Sequence, residues 1–504
     1  MSLMLVGSNF FVLGRAVSPF KLGLSWDTMP NRREFLRYAL QTGAVEALPR
    51  ASRGRASAAE PISVRLRHES PTILAANFIG LGYEKSSAAM PGLLSAQNKD
   101  YVQLIKNLGA KGVLRIGGIV ADFSRYDPDG RSVAEPKNTI ITRSNLEQLS
   151  VFLKKTGWSA IWSLNFGRGS IADALVEATD VARILGPCLD AVELGNEVEN
   201  YGNGTTPLRS APYTYETYRA EYEMWHRAIT KAIPALRFAA PDTAGSVEWV
   251  ERMAKDAADR VQLLTTHYYR GGQKQGSSDQ LTYPDPGLTL KLARLARASQ
   301  ASGIPWRMCE TNSFFGGGLP GVSNTLLGAL WTLDYMMLLA QSGCAGVNLE
   351  TGVNQLGFVS SYSPIQDNGS GINSAGVPYY GMLAFATAVS GCAEMLAVDF
   401  DSRGINLTGY ACGAGRRIQS IVLVNRDKTQ DASLSIGELG MGEMIAYRLL
   451  SDSPNSEEGV TFGNSSIDPE GKWAPQKPEY IRDARLRVPR MSAIVLRSMH
   501  PHLD

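Results

Sequence analysis

Val192-Glu193-Leu194-Gly195-Asn196-Glu197 and Trp306-Arg307-Met308-Cys309-Glu310-Thr311-Asn312 are two short apolar runs, each closed by a carboxylate. Each reads as a buried strand with a glutamate at its C-terminal tip. From residue 72 onward, similar short apolar runs alternate with longer stretches of helical period. That order predicts an α/β fold with a parallel sheet. The expected strands are Ile73–Gly80, Gly112–Ile116, Ala160–Asn165, Ala191–Leu194, Leu236–Pro241, Val261–His267, Ile304–Glu310 and Ala345–Leu349. Amphipathic stretches near 93–109, 144–156, 171–185, 212–233, 246–258, 288–302 and 323–342 separate them, and another near 376–390 follows the last. Eight strands, each followed by a helix, is the count for a closed (β/α)8 or TIM barrel. Active sites of that fold lie at the C-terminal strand tips, so Glu197 on strand 4 and Glu310 on strand 7 are expected to share one face.

The pattern changes after about Gly391. Ile418–Val424, Ala432–Ile436, Met444–Leu450 and Ser492–Leu496 are short alternating runs with turns between them. They predict a C-terminal antiparallel β-sandwich domain over 391–504. Ile62-Ser63-Val64-Arg65-Leu66-Arg67 alternates in the same way, so residues 61–70 are expected to join that sandwich as a strand, with the catalytic barrel occupying 71–390. The Gly/Ser/Asn-rich stretch Gly352 to Gly376 reads as a long loop after strand 8, and loops of that length inside a compact domain are usually functional.

Asn31-Arg32-Arg33-Glu34-Phe35-Leu36-Arg37 has the form of a twin-arginine export signal, and Ala56-Ser57-Ala58 fits a small-residue cleavage site. Tyr38 to Leu48, between them, is only weakly apolar and carries Glu46. Met29 is an alternative start that would bring Arg32-Arg33 close to the N-terminus. Residues 1–60 are therefore read as a leader, and the expected destination is periplasmic or secreted.

The 504 residues are 44% hydrophobic and 19% charged, with a formal net charge of +2. Such a balance argues against a nucleic-acid protein, which usually shows a strongly basic face. No Lys/Arg-rich run suits a highly sulfated polyanion, and no run of 18 apolar residues suits a membrane span. The five cysteines contain no C-x-x-C and leave at least one unpaired, so a disulfide framework is not expected, although Cys392 and Cys412 could pair. The histidines form no H-E-x-x-H, so no metal site is expected.

Two carboxylates on different strand tips suit glycoside hydrolysis, in which one acid protonates the leaving oxygen and the other attacks or activates water. Glu197 is the expected acid, its pKa raised by burial or crowding. Glu310 is the expected nucleophile, held ionised by neighbouring donors. Glu193 points to the same side and is read as a barrel-interior group. His267-Tyr268-Tyr269 ends strand 6; a tyrosine there could hydrogen-bond the nucleophile and tune its charge, and Tyr268 is read as a substrate-binding residue. The glycines of Phe315-Gly316-Gly317-Gly318 present bare backbone N–H groups that can cradle an anion, such as a carboxylate on a sugar. Arg115-Ile116-Gly117-Gly118 ends strand 2, Asn165 ends strand 3, and Tyr83 and Glu84 follow strand 1, so all would line the same pocket. The competing readings stay open here: solvated strand-end acids, helix caps, aromatic packing at the rim and a plain flexible glycine loop.

These segments resemble glycoside hydrolase family 79, the β-glucuronidases and heparanase. Glu193-Leu194-Gly195-Asn196-Glu197 and Glu310-Thr311-Asn312-Ser313-Phe314-Phe315-Gly316-Gly317-Gly318 carry the resemblance. Leu114-Arg115-Ile116-Gly117-Gly118 and Gly80-Leu81-Gly82-Tyr83-Glu84 add to it, over roughly residues 62–500. The resemblance implies a retaining, two-step hydrolase releasing terminal β-linked glucuronic acid or its 4-O-methyl form, with no metal and no organic cofactor. It implies that Glu197 is the acid/base, Glu310 the nucleophile, and the Gly316 and Gly317 amides the holders of the uronate carboxylate. Asn196 would contact the 2-hydroxyl and Glu84 the far hydroxyls. Tyr362, in Tyr362-Ser363-Pro364-Ile365, resembles a bacterial family tyrosine near the carboxylate. Phe315 departs from heparanase, which has a tyrosine before its glycines. The alternatives are a related retaining arabinofuranosidase or xylosidase for neutral sugars, and a non-catalytic carbohydrate-binding protein that has kept the barrel.

Overall fold

The computed structural model describes residues 60–499 apart from 133–138, 204–206, 353–359, 368–372 and 416. The export motif and cleavage site lie outside the described residues, as does the middle of the 352–376 loop.

Eight parallel strands close on one another: β1 (Ile79–Glu84), β2 (Val113–Gly117), β3 (Ser159–Leu164), β4 (Leu189–Leu194), β5 (Phe238–Thr243), β6 (Leu263–Gly272), β7 (Trp306–Phe315) and β8 (Val347–Glu350). Each pairs with the next, and β8 returns to β1 through Val347↔Ile79. The helices that follow them are α1 (Lys99–Asn107), α2 (Arg143–Thr156), α3 (Ile171–Leu185), α4 (Tyr215–Ala232), α5 (Val247–Asp256), α6 (Pro286–Ser302), α7 (Leu326–Gln341) and α8 (Val377–Val389). The caps explain their limits. Thr142 and Ser170 form capping boxes with Asn145 and Asp173, and Gly157 and Gly303 end α2 and α6 in the left-handed conformation.

The expected first strand, Ile73–Gly80, shares only Ile79 and Gly80 with the barrel strand. Thr72–Ile73 leaves the barrel and pairs antiparallel with Glu394–Met395. The barrel strand starts at Ile79 because Gly80 and Gly82 are interior positions, not strand ends. A side chain on Gly80 would strike Asn348 and Arg307, whose polar groups fill the barrel bottom. Strands β6 and β7 are longer than expected. They stay paired up to Gly272↔Phe315, so Glu310 lies in mid-strand and not at its end.

Inside the barrel, Val113, Ile161, Ala191, Ala239, Leu263 and Cys309 form an apolar layer. A polar layer of Arg115, Ser163, Glu193, Asp242 and Thr265 lies towards the C-terminal tips, each residue two or three positions further along its strand. The register of β6 and β7 shifts at this level: Thr266 pairs with Met308, but His267 pairs with Glu310. Cys309 is the extra residue of this β-bulge. A bulge re-aims the next side chain, and here it lets both Cys309 and Glu310 face inward.

A second core gathers Val64, Ile421, Leu423, Leu434, Leu486, Ile494 and Leu496 between two sheets. The larger sheet includes Met444–Leu450, Ser492–Ser498, Arg417–Asn425 and Leu407–Ala414. The smaller has Ala432–Ser435 at its centre, flanked by Arg485–Val488 and by Ile62–Ser63, which runs parallel through Ile62↔Leu434. Helix α7 is apolar all round, as a helix covered on all sides must be. Its one acid, Asp334, receives Arg426 Nη2 at 2.5 Å and the hydroxyls of Thr408 and Tyr410 from the β-domain. Barrel and β-domain belong to one unit, Pro61–Asp504.

Candidate active site

The site is built upward from Arg115. Its guanidinium is fully buried on β2, and its planar fork is shared among four acceptors. Nε donates to Glu193 at 3.0 Å, Nη1 to Glu310 at 2.7 Å, and Nη2 to Asn196 at 2.9 Å and Asp242 at 2.5 Å. Tyr269 Oη donates to the other Glu310 oxygen at 2.9 Å. Both oxygens of the expected nucleophile are thus held, one from below and one from the side. Arg115 does not line the sugar pocket as expected; it organises the acids beneath it. Burial, then the charge of Asp242, pushes Glu193 up to about 7, and Ser163 also donates to it at 2.8 Å.

His267, also fully buried, is the second cation. Nε2 meets Asp242 at 2.9 Å, and Nδ1 lies 3.3 Å from Glu197 and 3.9 Å from Glu310. Burial opposes its charge, but Asp242 and Glu310 outweigh burial and hold its pKa well above 6.5. Burial alone would raise Glu197, as expected from its position. The hydrogen bond and charge of His267 reverse the sign, and Glu197 is lowered. The expectation of a raised pKa is therefore corrected, and the cause is the imidazolium on β6.

Glu197 follows β4 in the left-handed conformation, with φ +50°. The turn that delivers it depends on Gly195, at φ +84°, where any side chain would strike the Tyr201 hydroxyl. That hydroxyl donates to Asp122 at 2.7 Å, and Asp122 also receives the Asn196 and Gly167 amides. Burial pushes Asp122 up to about 7 against these donors.

A cleft of about 630 Å³ opens above these groups. Glu84, Asn196, Glu197, Tyr269, Glu310, Gly316, Gly317, Glu350 and Tyr362 line it, with Phe315 at its lip. Gly316, Gly317 and Gly318 all have positive φ (88°, 96° and 81°), a backbone that L side chains resist. Tyr362 is buried with its ring 6.4 Å from that of Tyr269. Glu84 accepts the Val120 amide at 2.9 Å; burial and then Glu310 push it up to about 7.

Two expected site residues lie elsewhere. Tyr268 points outward, stacks on Tyr335 and donates to Asp285 at 2.8 Å. Strand alternation from the inward His267 selects Tyr269 instead. Asn165 accepts the Arg168 and Gly169 amides and donates to Ser124, so it shapes its own loop and is absent from the cleft lining. The sequence reading missed Asp242 and Glu350 and treated His267 only as context. Period-two counting from Thr265 would have found His267. Among the described residues, Glu193–Asp242–Cys309 and Glu197–His267–Glu310 have the spacing of metal ligands. Arg115 and His267 already balance the carboxylates of both groups.

A closed (β/α)8 barrel with two facing glutamates at its mouth, on β7 and just after β4, is the arrangement of a barrel glycosidase. No family model matches the chain. Two curated relatives are both β-glucuronidases. That of Aspergillus niger is 26% identical over 376 residues, covering 66% of this chain and 68% of its own. That of Neurospora crassa is 27% identical over 328 residues, covering 56% and 57%. Both agree with the resemblance to family 79. Among solved structures, a 4-O-α-L-rhamnosyl-β-D-glucuronidase from Fusarium oxysporum is similar at TM-score 0.72 and 20% identity, over 86% of this chain and all of that one. A family 51 α-L-arabinofuranosidase from Bifidobacterium longum follows at TM-score 0.63 and 15% identity, over 87% and 99%. These structural likenesses bear on the fold.

Proposed function

We propose that this chain is a retaining β-glucuronidase, with Glu310 as nucleophile and Glu197 as acid/base. One observation carries the mechanism: a carboxylate oxygen of Glu197 and one of Glu310 lie within 4.8 Å of each other. Retaining enzymes hold their two carboxyl groups about 5–5.5 Å apart, and inverting enzymes about 6.5–9.5 Å, to admit a water.

The free site stores the reaction's proton on His267, one hydrogen bond from Glu197. The negative charges of Asp242 and then Glu310 hold it there. As Glu310 attacks the anomeric carbon, that charge passes into the new ester bond, and the hold on the His267 proton weakens. The proton moves along the Nδ1 to Glu197 contact, and Glu197 passes it to the departing oxygen. Glu197, again a carboxylate, then takes a proton from the water that cleaves the ester and returns it to His267 Nδ1 as Glu310 regains its charge. Arg115 and Tyr269 keep Glu310 aimed through both steps.

The substrate assignment rests on Gly316 and Gly317 at the cleft and on the two fungal relatives. The Gly316 and Gly317 amides would receive the uronate carboxylate, with Tyr362 beside it. Asn196 would contact the 2-hydroxyl and Glu84 the far side of the ring. Export through a twin-arginine signal is part of the same proposal.

The test is hydrolysis of aryl β-glucuronide, β-glucoside, β-xyloside and α-arabinofuranoside, with Glu310→Gln as control. Cleavage of the glucuronide, release of the β-anomer first by NMR, and loss of activity in the variant are expected. Cleavage of a neutral sugar alone would overturn the substrate, and release of the α-anomer first would overturn retention.

A further inference from the structure

We propose that Glu350, the last residue of β8, binds the sugar in this cleft by donating a hydrogen bond to a ring hydroxyl. The inference rests on the glycosidase reading above and adds a residue that neither the sequence motifs nor the mechanism uses.

Glu350 is only 5% exposed, yet among the described residues its Oε2 has no hydrogen-bond partner. Buried side-chain polar atoms are mostly satisfied, and an orphan at a cleft wall calls for an explanation, of which a ligand is one. Neighbouring β1 makes room for it. Gly82 lies alongside, and a Cβ there would sit 2.5 Å from Oε2. The carboxyl therefore leans across β1 within the same cleft as Glu84, Glu310 and Tyr362.

The surroundings select its protonation state. Burial, then Glu310 on β7 and Glu84 on β1, push Glu350 well above its ordinary value. Arg115 on β2 and His267 on β6 pull the other way and are outweighed. Tyr83, Tyr269 and Tyr362, the remaining titratable neighbours, are all raised as well and stay neutral. A neutral Glu350 offers an O–H donor that no described residue accepts. Glu84 nearby, pushed up to about 7, can supply the matching acceptor. Donor and acceptor side by side suit adjacent sugar hydroxyls, each of which both gives and takes a hydrogen bond. A protonated floor also spares an anionic sugar the repulsion of further negative charge.

The experiment compares the full chain with Glu350→Ala and Glu350→Gln on the aryl glycoside it cleaves and on the 2-, 3- and 4-deoxy forms. The wild-type chain should lose about 10- to 100-fold in kcat/KM on the deoxy glycoside that lacks the hydroxyl Glu350 serves, the cost of an unmet buried group. Glu350→Ala should lose a similar factor on the parent sugar and be indifferent to that same deoxygenation. Glu350→Gln, which keeps an N–H donor, should fall between. Unchanged kinetics in Glu350→Ala, or equal sensitivity to all deoxy sugars in variant and wild type, would overturn the proposal. If Glu350→Ala fails to fold, the deoxy series on Glu350→Gln decides: undiminished sensitivity to every deoxygenation overturns it. Cleavage of a neutral glycoside only would overturn the glucuronide reading, while the deoxy series of that sugar tests Glu350. No cleavage of any glycoside would overturn both.

Discussion

Arg115→Lys keeps the positive charge and removes the fork. The arginine makes four hydrogen bonds, to Glu193, Glu310, Asn196 and Asp242, at 2.5 to 3.0 Å. A lysine ammonium is a point donor on a shorter reach, and it can serve one or two of these acceptors at once. Each hydrogen bond to a charged group is worth about 1.5–3 kcal/mol. Losing two gives about 3–6 kcal/mol, which overlaps the roughly 3–5 kcal/mol for breaking a buried ion pair. The unfolding free energy should therefore fall by about 3–5 kcal/mol in urea titrations. Glu310 would keep Tyr269 on one oxygen and lose its anchor on the other. A misplacement of about 1 Å costs about 100-fold in rate, so kcat should fall by about two orders of magnitude with KM little changed. A lysine variant with stability within about 1 kcal/mol of wild type and an undiminished kcat would refute the account of Arg115 as organiser of the site.

Tyr269→Phe should lower kcat/KM by about tenfold or more through loss of a charge-assisted hydrogen bond to Glu310. Tyr268→Phe, whose hydroxyl serves Asp285, should leave kinetics unchanged, and initial rates on one aryl glycoside separate the two. Asp334→Ala leaves Arg426 buried without its partner and should cost about 3–5 kcal/mol in urea unfolding, with little effect on kcat in the folded fraction. Glu84 has a folded-state pKa of about 7 against 4.5 when unfolded. A raised acid contributes stability that is full below 4.5 and is lost as pH rises through 7. The wild-type chain should thus lose more stability between pH 5 and pH 8 than Glu84→Gln, measured by urea midpoints at the two values.

The barrel was legible because apolar runs and amphipathic stretches alternated eight times, and seven of the eight strands fell within a few residues of their expected places. The first failed because Gly80 and Gly82 look like turn residues, although they are interior positions cleared for Arg307, Asn348 and Glu350. The β-domain strand Leu407–Ala414 went unseen because its Gly409 and Gly413 mask the alternation. In the site, Glu197, Glu310, Asn196 and the glycines were readable from local motifs. Tyr269 was not, because one step of strand parity separates it from Tyr268. Nor could the lowered pKa of Glu197 be read, since it depends on His267, 70 residues away on another strand. The bulge at Cys309 is equally hidden: simple alternation from Arg307 and Cys309 would turn Glu310 away from the cleft.

The parallel pairing of Ile62 with Leu434 has a consequence for synthesis. A ribosome moving at about 5–20 residues per second needs roughly 20–75 s to travel between those two residues. Throughout that interval the first strand has emerged and its partner does not exist. The barrel strands, by contrast, are born in the order in which they pair, and only the β8 to β1 seam must wait. The smaller sheet of the β-domain is therefore among the last parts to close, and a nascent chain stalled before residue 432 carries an unpaired edge that a chaperone or a second nascent chain can reach.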